Sequence, residues 1–421
     1  MTKILAWRLT PYAEKVVGDY QCGFRSSRST TDQIFTIRII LEKCLEFNID
    51  IHQLYIDFKQ AYDGLKRPKI FEVLAELGIP SKLINIFKMT LRKTACKVRV
   101  QGEFSRTFEV KKGLRQGDAI STLLFNLCLE KVIRGVNVCN KGGTIFNRSL
   151  QYMAYADDVG MISRNIRTLT EAYNQLEEGA QDLGLLVNEK KTKYMVSSKL
   201  RSGRPDPLKI GEKLFERVTD FRYLGSTITE KNDTSYEIKA RIAAGNKSYF
   251  SSLQMLRSSL LNKESKIKIY KAIIKPVVTY GAETWSLTNN DERLLLIWER
   301  KILRKIFGPI NDNGAWRIRT NKELQNMYKA PDIIADIKSK RIRWIGHVQR
   351  MDSTRACFKI FNGKPEGKRT SGRPKKRYLD GIEEDLKQLE VRGWRRKAAD
   401  RDEWRTVVEK AKALKGCCAM E

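Results

Sequence analysis

From residue 32 to 45 the apolar side chains Ile34, Ile37, Leu41 and Leu45 recur at helical spacing behind Thr30 or Thr31 as N-cap, and predict a helix. Leu54-Tyr55-Ile56 is a short run of strand formers that ends at Asp57. Pro68 suits a first helical turn and opens a pattern through Ile70, Val73, Leu74 and Leu77 that stops near Gly78 and Pro80. Residues 96–100 and 105–110 alternate about Gln101-Gly102-Glu103, which predicts a hairpin. An apolar helix from Ile120 to about Val136 follows, then a second hairpin around Tyr155 and Asp158, then a helix from about Thr168 to Leu183. This succession of strands, hairpins and helices predicts an α+β layer, an antiparallel sheet backed by helices.

Beyond Gly225 the pattern turns helical. Asn290 is the expected cap of a helix whose Leu294, Trp298, Ile302 and Ile306 share one face before Gly308 and Pro309 stop it. Residues 363–377 hold seven Lys or Arg and one Glu among Gly, Pro, Ser and Thr, and predict an extended arm. A final polar helix is expected to carry Trp394 and Trp404 about three turns apart. No internal repeat is seen. Three regions are expected: 1–225, 226–310 and a basic, helical 311–421.

Charge narrows the partner. Lys plus Arg number 80 against 49 Asp plus Glu in 421 residues, a net charge of +31 spread along the chain. A polyanion fits this better than a membrane or an acidic protein, because neutralised phosphates give salt-sensitive, sequence-independent affinity. The eight cysteines show no repeated short spacing and there are only two histidines, so neither a zinc site nor a disulfide framework is expected. The apolar stretch 269–278 is cut by Lys271 and Lys275, too short and too charged to span a bilayer.

Tyr155-Ala156-Asp157-Asp158 sets two adjacent carboxylates between apolar runs. Neighbouring strand residues point to opposite faces, so both acids reach one ion only at a tight turn, which the hairpin supplies. Asp57, at the end of an earlier strand, adds a third carboxylate if the strands lie side by side. Mg²⁺ takes oxygen ligands and keeps water and substrate phosphates in its shell, so two or three carboxylates suffice to hold two ions about 4 Å apart. In isolation an Asp-Asp pair is more often a loop or helix cap, by roughly ten to one.

The flanking residues decide between these readings. Gln21-Cys22-Gly23-Phe24-Arg25 with Arg28-Ser29-Thr30, Tyr55-Ile56-Asp57-Phe58-Lys59-Gln60-Ala61-Tyr62-Asp63, Gly113-Leu114-Arg115-Gln116-Gly117-Asp118, Tyr155-Ala156-Asp157-Asp158, Gly184-Leu185 with Asn188 and Lys191-Thr192, and Phe221-Arg222-Tyr223-Leu224-Gly225 follow one another in order. Together they resemble the reverse transcriptases of non-LTR, LINE-type retrotransposons.

The resemblance implies a right-hand polymerase palm with partial fingers, a helical thumb at 226–310 and a basic nucleic-acid-binding end. It implies RNA-directed DNA synthesis with two Mg²⁺, or Mn²⁺ in their place, held by Asp57, Asp157 and Asp158. Tyr62 would exclude a ribose 2′-hydroxyl by bulk, against the plainer reading as a core aromatic. Arg115, Gln116 and Gly117 would meet the nascent base pair and template, Lys191 the leaving pyrophosphate, and Arg25 with Arg28 the incoming phosphates. Phe221, Tyr223, Leu224 and Gly225 would form the primer grip. RNA template, DNA primer, their heteroduplex and deoxynucleotides are the implied partners, inside the nucleus and cytoplasm. About twenty residues precede the first motif, where the family carries a longer fingers segment, so an N-terminally truncated polymerase is expected, with an endonuclease domain upstream in the intact element. A catalytically silent, nucleic-acid-binding remnant is the competing expectation. Ser121-Thr122 stands where the family commonly has proline.

Overall fold

The computed structural model describes residues 2–92, 94–137, 144–199, 206–369 and 376–414. They gather into two compact units, one of 1–36, 43–221 and 354–370, the other of 37–42, 222–353 and 371–421.

The first unit is built on a six-stranded sheet. Its strands are β1 (Ile51–Ile56), β2 (Leu150–Tyr155), β3 (Asp158–Ser163), β4 (Lys193–Ser197), β5 (Leu208–Ile210) and β6 (Lys213–Arg217), in the order β5-β6-β4-β1-β3-β2. All neighbours are antiparallel except β4 and β6. β1 is buried at every position, as a central strand covered on both faces must be. Its Leu54 and Ile56 join Ala154, Val159, Met161, Tyr194 and Val196 in one hydrophobic core with helices α1 (Arg67–Glu76), α2 (Ser121–Arg134) and α3 (Ile166–Leu183). The α+β expectation holds: helices back a sheet that is antiparallel but for the β4–β6 pair. α3 begins where the Asn165 side chain accepts the N–H groups of Arg167 and Thr168, and ends at Gly184 with φ +89°.

Several local expectations are corrected. The first predicted helix spans Thr30–Glu46, and Ser29, not Thr30 or Thr31, is its cap, donating its N–H and hydroxyl to Asp32. A helix at Ser81–Leu91 follows Pro80, where no element was expected. The hairpin at 95–109 exists in two short paired stretches about a Gln101-Gly102 turn, both residues at positive φ.

In the second unit Tyr270, Trp285, Trp298 and Ile302 pack with Leu324, Tyr328, Ile333 and Ile337, so residues on both sides of 310 share one core. Thr288, two residues ahead of the expected Asn290, caps Asn289–Phe307 through a reciprocal pair with Asp291. The expected final helix is two, Trp394–Ala399 and Arg401–Ala411, because Asp400 breaks the first and caps the second. Their Trp394 and Trp404 rings lie 6.2 Å apart, buried rather than displayed. Of the basic arm, 370–375 lies outside the described residues, and with it Ser371-Gly372-Arg373-Pro374-Lys375; so do Cys139, Cys417 and Cys418. The described cysteines, Cys22, Cys44, Cys96, Cys128 and Cys357, are free thiols. Among the described residues no helix is long and apolar enough to cross a membrane.

Candidate active site

Strand register brings the three acids to one end of the sheet. Ile56 pairs with Val159, so Asp57 leaves β1 beside the start of β3, and Tyr155 pairs with Asp158 across the two-residue turn Ala156-Asp157. Ala156 takes φ +56°, the left-handed conformation that such a turn needs and that alanine adopts only at a cost.

The backbone of Asp57 is pegged on both sides. Its N–H donates to the Thr192 hydroxyl at 3.3 Å, and its carbonyl accepts the Asn188 N–H at 2.7 Å. Thr192 is fully buried. Asn188, Lys191 and Thr192 therefore share a structural reason for their spacing. Lys191 reaches within 4.0 Å of Asp57 Oδ2 while its side chain stays 72% exposed, available to an anion arriving at that edge. Upstream of this loop, backbone presses on backbone: a Cβ on Gly184 would stand 2.5 Å from the Gly64 carbonyl oxygen, and one on Gly64 would stand 2.7 Å from that of Gly184. The Tyr62 segment and the end of α3 thus meet through two residues without side chains.

Tyr62 is half-buried and stacks on Phe125 of α2 at 4.8 Å between centroids. Its hydroxyl has no hydrogen-bond partner, and burial followed by the charge of Asp157 pushes its pKa up to about 12. The ring therefore stands near the acids. The Arg115-Gln116-Gly117 loop is docked onto the same segment, because the Leu114 N–H donates to the Tyr62 carbonyl at 2.8 Å and the Gly113 N–H to that of Leu65 at 2.8 Å. Gly113 is obligatory, since at φ +80° a Cβ would lie 2.8 Å from Asp63 Cα. Arg115, Gln116 and Gly117 themselves are exposed, and Gly117 at φ +86° faces open space. Thr122 stands where the family has proline, and beside it, at the α2 entrance, Ser121 donates its hydroxyl to the Arg115 carbonyl at 2.7 Å.

Arg25 is not free to meet phosphate. Its guanidinium spans both Glu14 oxygens at 2.7 and 3.2 Å, donates to the carbonyls of Gly18 and Gln21, and is only 4% exposed. Arg28 is likewise engaged by Asp19 at 2.7 Å. The phosphate-binding expectation for both is replaced by one of internal ties. Arg25→Ala should lower unfolding stability by about 2 kcal/mol, the scale of a charge-assisted hydrogen bond. Urea denaturation measures this, and binding of primer–template at fixed salt should be unchanged.

Of the primer-grip residues, Phe221 stacks on Tyr55 at 4.4 Å within the first unit. Tyr223, Leu224 and Gly225 belong to the second, where Tyr223 is buried, Leu224 and Gly225 form a left-handed turn, and Tyr280 donates its hydroxyl to the Leu224 carbonyl at 2.8 Å.

Two further residues were missed from sequence. Gln21 accepts the Ala156 N–H at 2.8 Å and donates to the Ala156 carbonyl at 3.2 Å, while Gln33 donates to the Ala154 carbonyl at 3.1 Å. Gln21 stands inside a motif, which is the only signal that could have drawn attention to it.

The acids repel one another. Asp158 is pushed up to about 6 by partial burial, then by the charges of Asp157 and Asp57; burial and then Asp57 raise Asp157. Asp57 Oδ2 is buried with no hydrogen-bond partner. An all-oxygen donor set with one orphaned buried acceptor and mutual repulsion fits a hard divalent cation. Among the described residues no three carboxylate, imidazole or thiol side chains form a ready-made metal cage. Mg²⁺ does not require one, because water and substrate oxygens complete its shell. Since folded Asp158 holds its proton more tightly than an unfolded chain, its ionised form costs stability fully above about pH 6, and the cost fades as pH falls toward 4. Carboxylate NMR titration of the metal-free protein should give a midpoint near 6 for Asp158, and a lower one in Asp57→Asn, where one like charge is gone.

The chain belongs to the reverse transcriptase (RNA-dependent DNA polymerase) family, whose model matches residues 1–228. Reverse transcriptases generally use divalent metal ions. Within the family its relatives include RNA-directed DNA polymerases of non-LTR mobile elements. The RNA-directed DNA polymerase from mobile element jockey of Drosophila melanogaster is 21% identical over 76% of this chain and 34% of its own length. The Pol polyprotein of the type-1 element R2 of Popillia japonica is 25% identical over 55% of this chain and 33% of its own. A putative transposon-derived protein of Caenorhabditis elegans is 24% identical over 62% of this chain and 96% of its own. The chain thus spans about a third of the length of the jockey and R2 proteins. Among solved structures, apo telomerase from Candida tropicalis superposes with a TM-score of 0.42 at 14% identity, covering 85% of this chain and 60% of that one.

Proposed function

We propose that this chain extends a DNA primer on an RNA template, as the polymerase part of a non-LTR retrotransposon enzyme. The observation that carries the reading is Asp57 beside the Asp157-Asp158 turn, with a buried oxygen left without a donor. Asp57, Asp157 and Asp158 would hold two Mg²⁺ ions, which supply activation of the primer 3′-hydroxyl and neutralisation of the leaving pyrophosphate. Lys191, at the rim of Asp57, adds a positive charge on the side where pyrophosphate departs. The Tyr62 ring, braced by Phe125, walls the sugar site and excludes a 2′-hydroxyl. Arg115, Gln116 and Gly117 offer exposed charge, amide and bare backbone to the template and nascent pair. A net charge of +31 holds the polyanionic heteroduplex without reading its sequence. The same reading places the protein in the nucleus and cytoplasm and an endonuclease elsewhere in the intact element.

The test is primer extension by the purified chain on an RNA template, with deoxynucleotides and Mg²⁺ or Mn²⁺, read as product length on a gel. Extension abolished by chelator supports the reading. A chain that binds primer–template but extends none is a silent remnant, the second reading, favoured by Arg25 and Arg28 being engaged by Glu14 and Asp19.

A further inference from the structure

The turn that aims Asp157 and Asp158 is a conformation that its own sequence does not favour. Ala156 sits at φ +56° and is buried, where Gly or Asn would be the ordinary choice. Something outside the hairpin has to hold it there.

Residues 20–22 run alongside the end of β2, with the Ala154 N–H donating to the Tyr20 carbonyl at 2.9 Å and the Cys22 N–H to that of Ala154 at 2.8 Å. At the next position the backbone pairing ends and the Gln21 side chain takes over. Its Oε1 accepts the Ala156 N–H at 2.8 Å and its Nε2 donates to the Ala156 carbonyl at 3.2 Å. A carboxamide presenting one acceptor and one donor to a single residue does the work of a strand neighbour, yet tolerates the reversed φ that a strand could not pair with. Oε1 also accepts the Gly23 N–H at 2.8 Å, and the Asn126 amide of α2 donates to the Gly23 carbonyl at 2.8 Å. Gln21 and Asn126 are almost fully buried. Gly23 is compelled as well, since a Cβ there would stand 2.2 Å from the Ala156 nitrogen. A continuous series of buried hydrogen bonds thus runs from α2 through Gly23 and Gln21 to the residue that precedes the two acids.

We infer that Gln21 is a positioning residue, whose carboxamide holds Ala156 left-handed and so sets the aim of Asp157 and Asp158 at the metal site. The inference rests on the proposed polymerase reading, and direct metal binding tests it apart from turnover. Supporting groups behind metal ligands typically cost 10–100-fold in affinity or activity when removed.

The experiment compares the full chain with Gln21→Ala, Ala156→Gly and the double variant. Mn²⁺ binding is measured by electron paramagnetic resonance, and kcat and KM for primer–template by extension. Gln21→Ala is expected to weaken Mn²⁺ binding about tenfold and lower kcat by 10–100-fold, with KM for primer–template within about twofold. The double variant should recover part of both losses, because glycine occupies the left-handed region without the clamp. Unchanged Mn²⁺ affinity in Gln21→Ala, or an identical loss in single and double variants, overturns the inference. Should Gln21→Ala not fold, Gln21→Glu takes its place: it keeps both accepted bonds and loses only the donated one, and wild-type Mn²⁺ affinity in it overturns the inference. If the parent chain fails to extend primers, the polymerase reading falls, while the Mn²⁺ measurements still decide the role of Gln21.

Discussion

Asp157→Ala is expected to reduce Mg²⁺-dependent extension by on the order of 10³-fold or more, the scale for losing a preorganised group that organises transition-state charge. Template binding should barely change, because it is carried by a net charge of +31, which the loss of one carboxylate raises only by one. Stability should hold or rise. Burial and the charge of Asp57 raise Asp157, so its ionised form is a cost to the folded chain, and alanine at the turn removes that cost. A thermal melt at pH 7 alongside gel-based extension and filter binding separates the three effects. Extension by the variant at the parent rate would remove Asp157 from the metal site.

Tyr62→Ala is the second large effect. Cutting the ring back should admit ribonucleotides, lowering discrimination against them by on the order of 100-fold, the range for a steric contact in a pocket. Tyr62→Phe sharpens the test. Because the hydroxyl has no hydrogen-bond partner and the ring rests on Phe125, the phenylalanine variant should discriminate like the parent. Single-nucleotide incorporation with paired ribo- and deoxynucleotides measures both. Loss of deoxynucleotide incorporation in Tyr62→Ala without any gain in ribonucleotide use would assign the ring to the core.

The acids were legible in sequence through their setting together with the motifs around them. A carboxylate pair between apolar runs is costly away from a turn, but that cost alone left a loop or helix cap the commoner reading, and the ordered motifs around the three acids decided it. Period-two and period-3.6 patterns then placed β1, the acidic hairpin and α3 close to where they lie. What escaped was pairing that leaves no periodicity. The bonds from Gln21 to Ala156 join residues 135 apart through a side chain, which no spacing rule anticipates. Arg25 was misread because its partner, Glu14, lies on a helix at Thr2–Val16 that was not predicted, so a basic residue in a basic chain looked available for phosphate. The division of 394–411 into two helices turned on Asp400, equally at home on a helix surface or at a cap, and only packing decides.

The touching glycines at 64 and 184 carry a meaning for neighbouring sequences as well. Relatives of this chain are named for mobile elements, and an intact acidic trio is an easy criterion for judging which copies of such a sequence could still polymerise. By that criterion alone a copy with alanine at either glycine would pass, although the segment bearing Tyr62 could no longer seat against α3. Whether a copy still polymerises is therefore judged by the glycines at 64 and 184 as well as by the carboxylates.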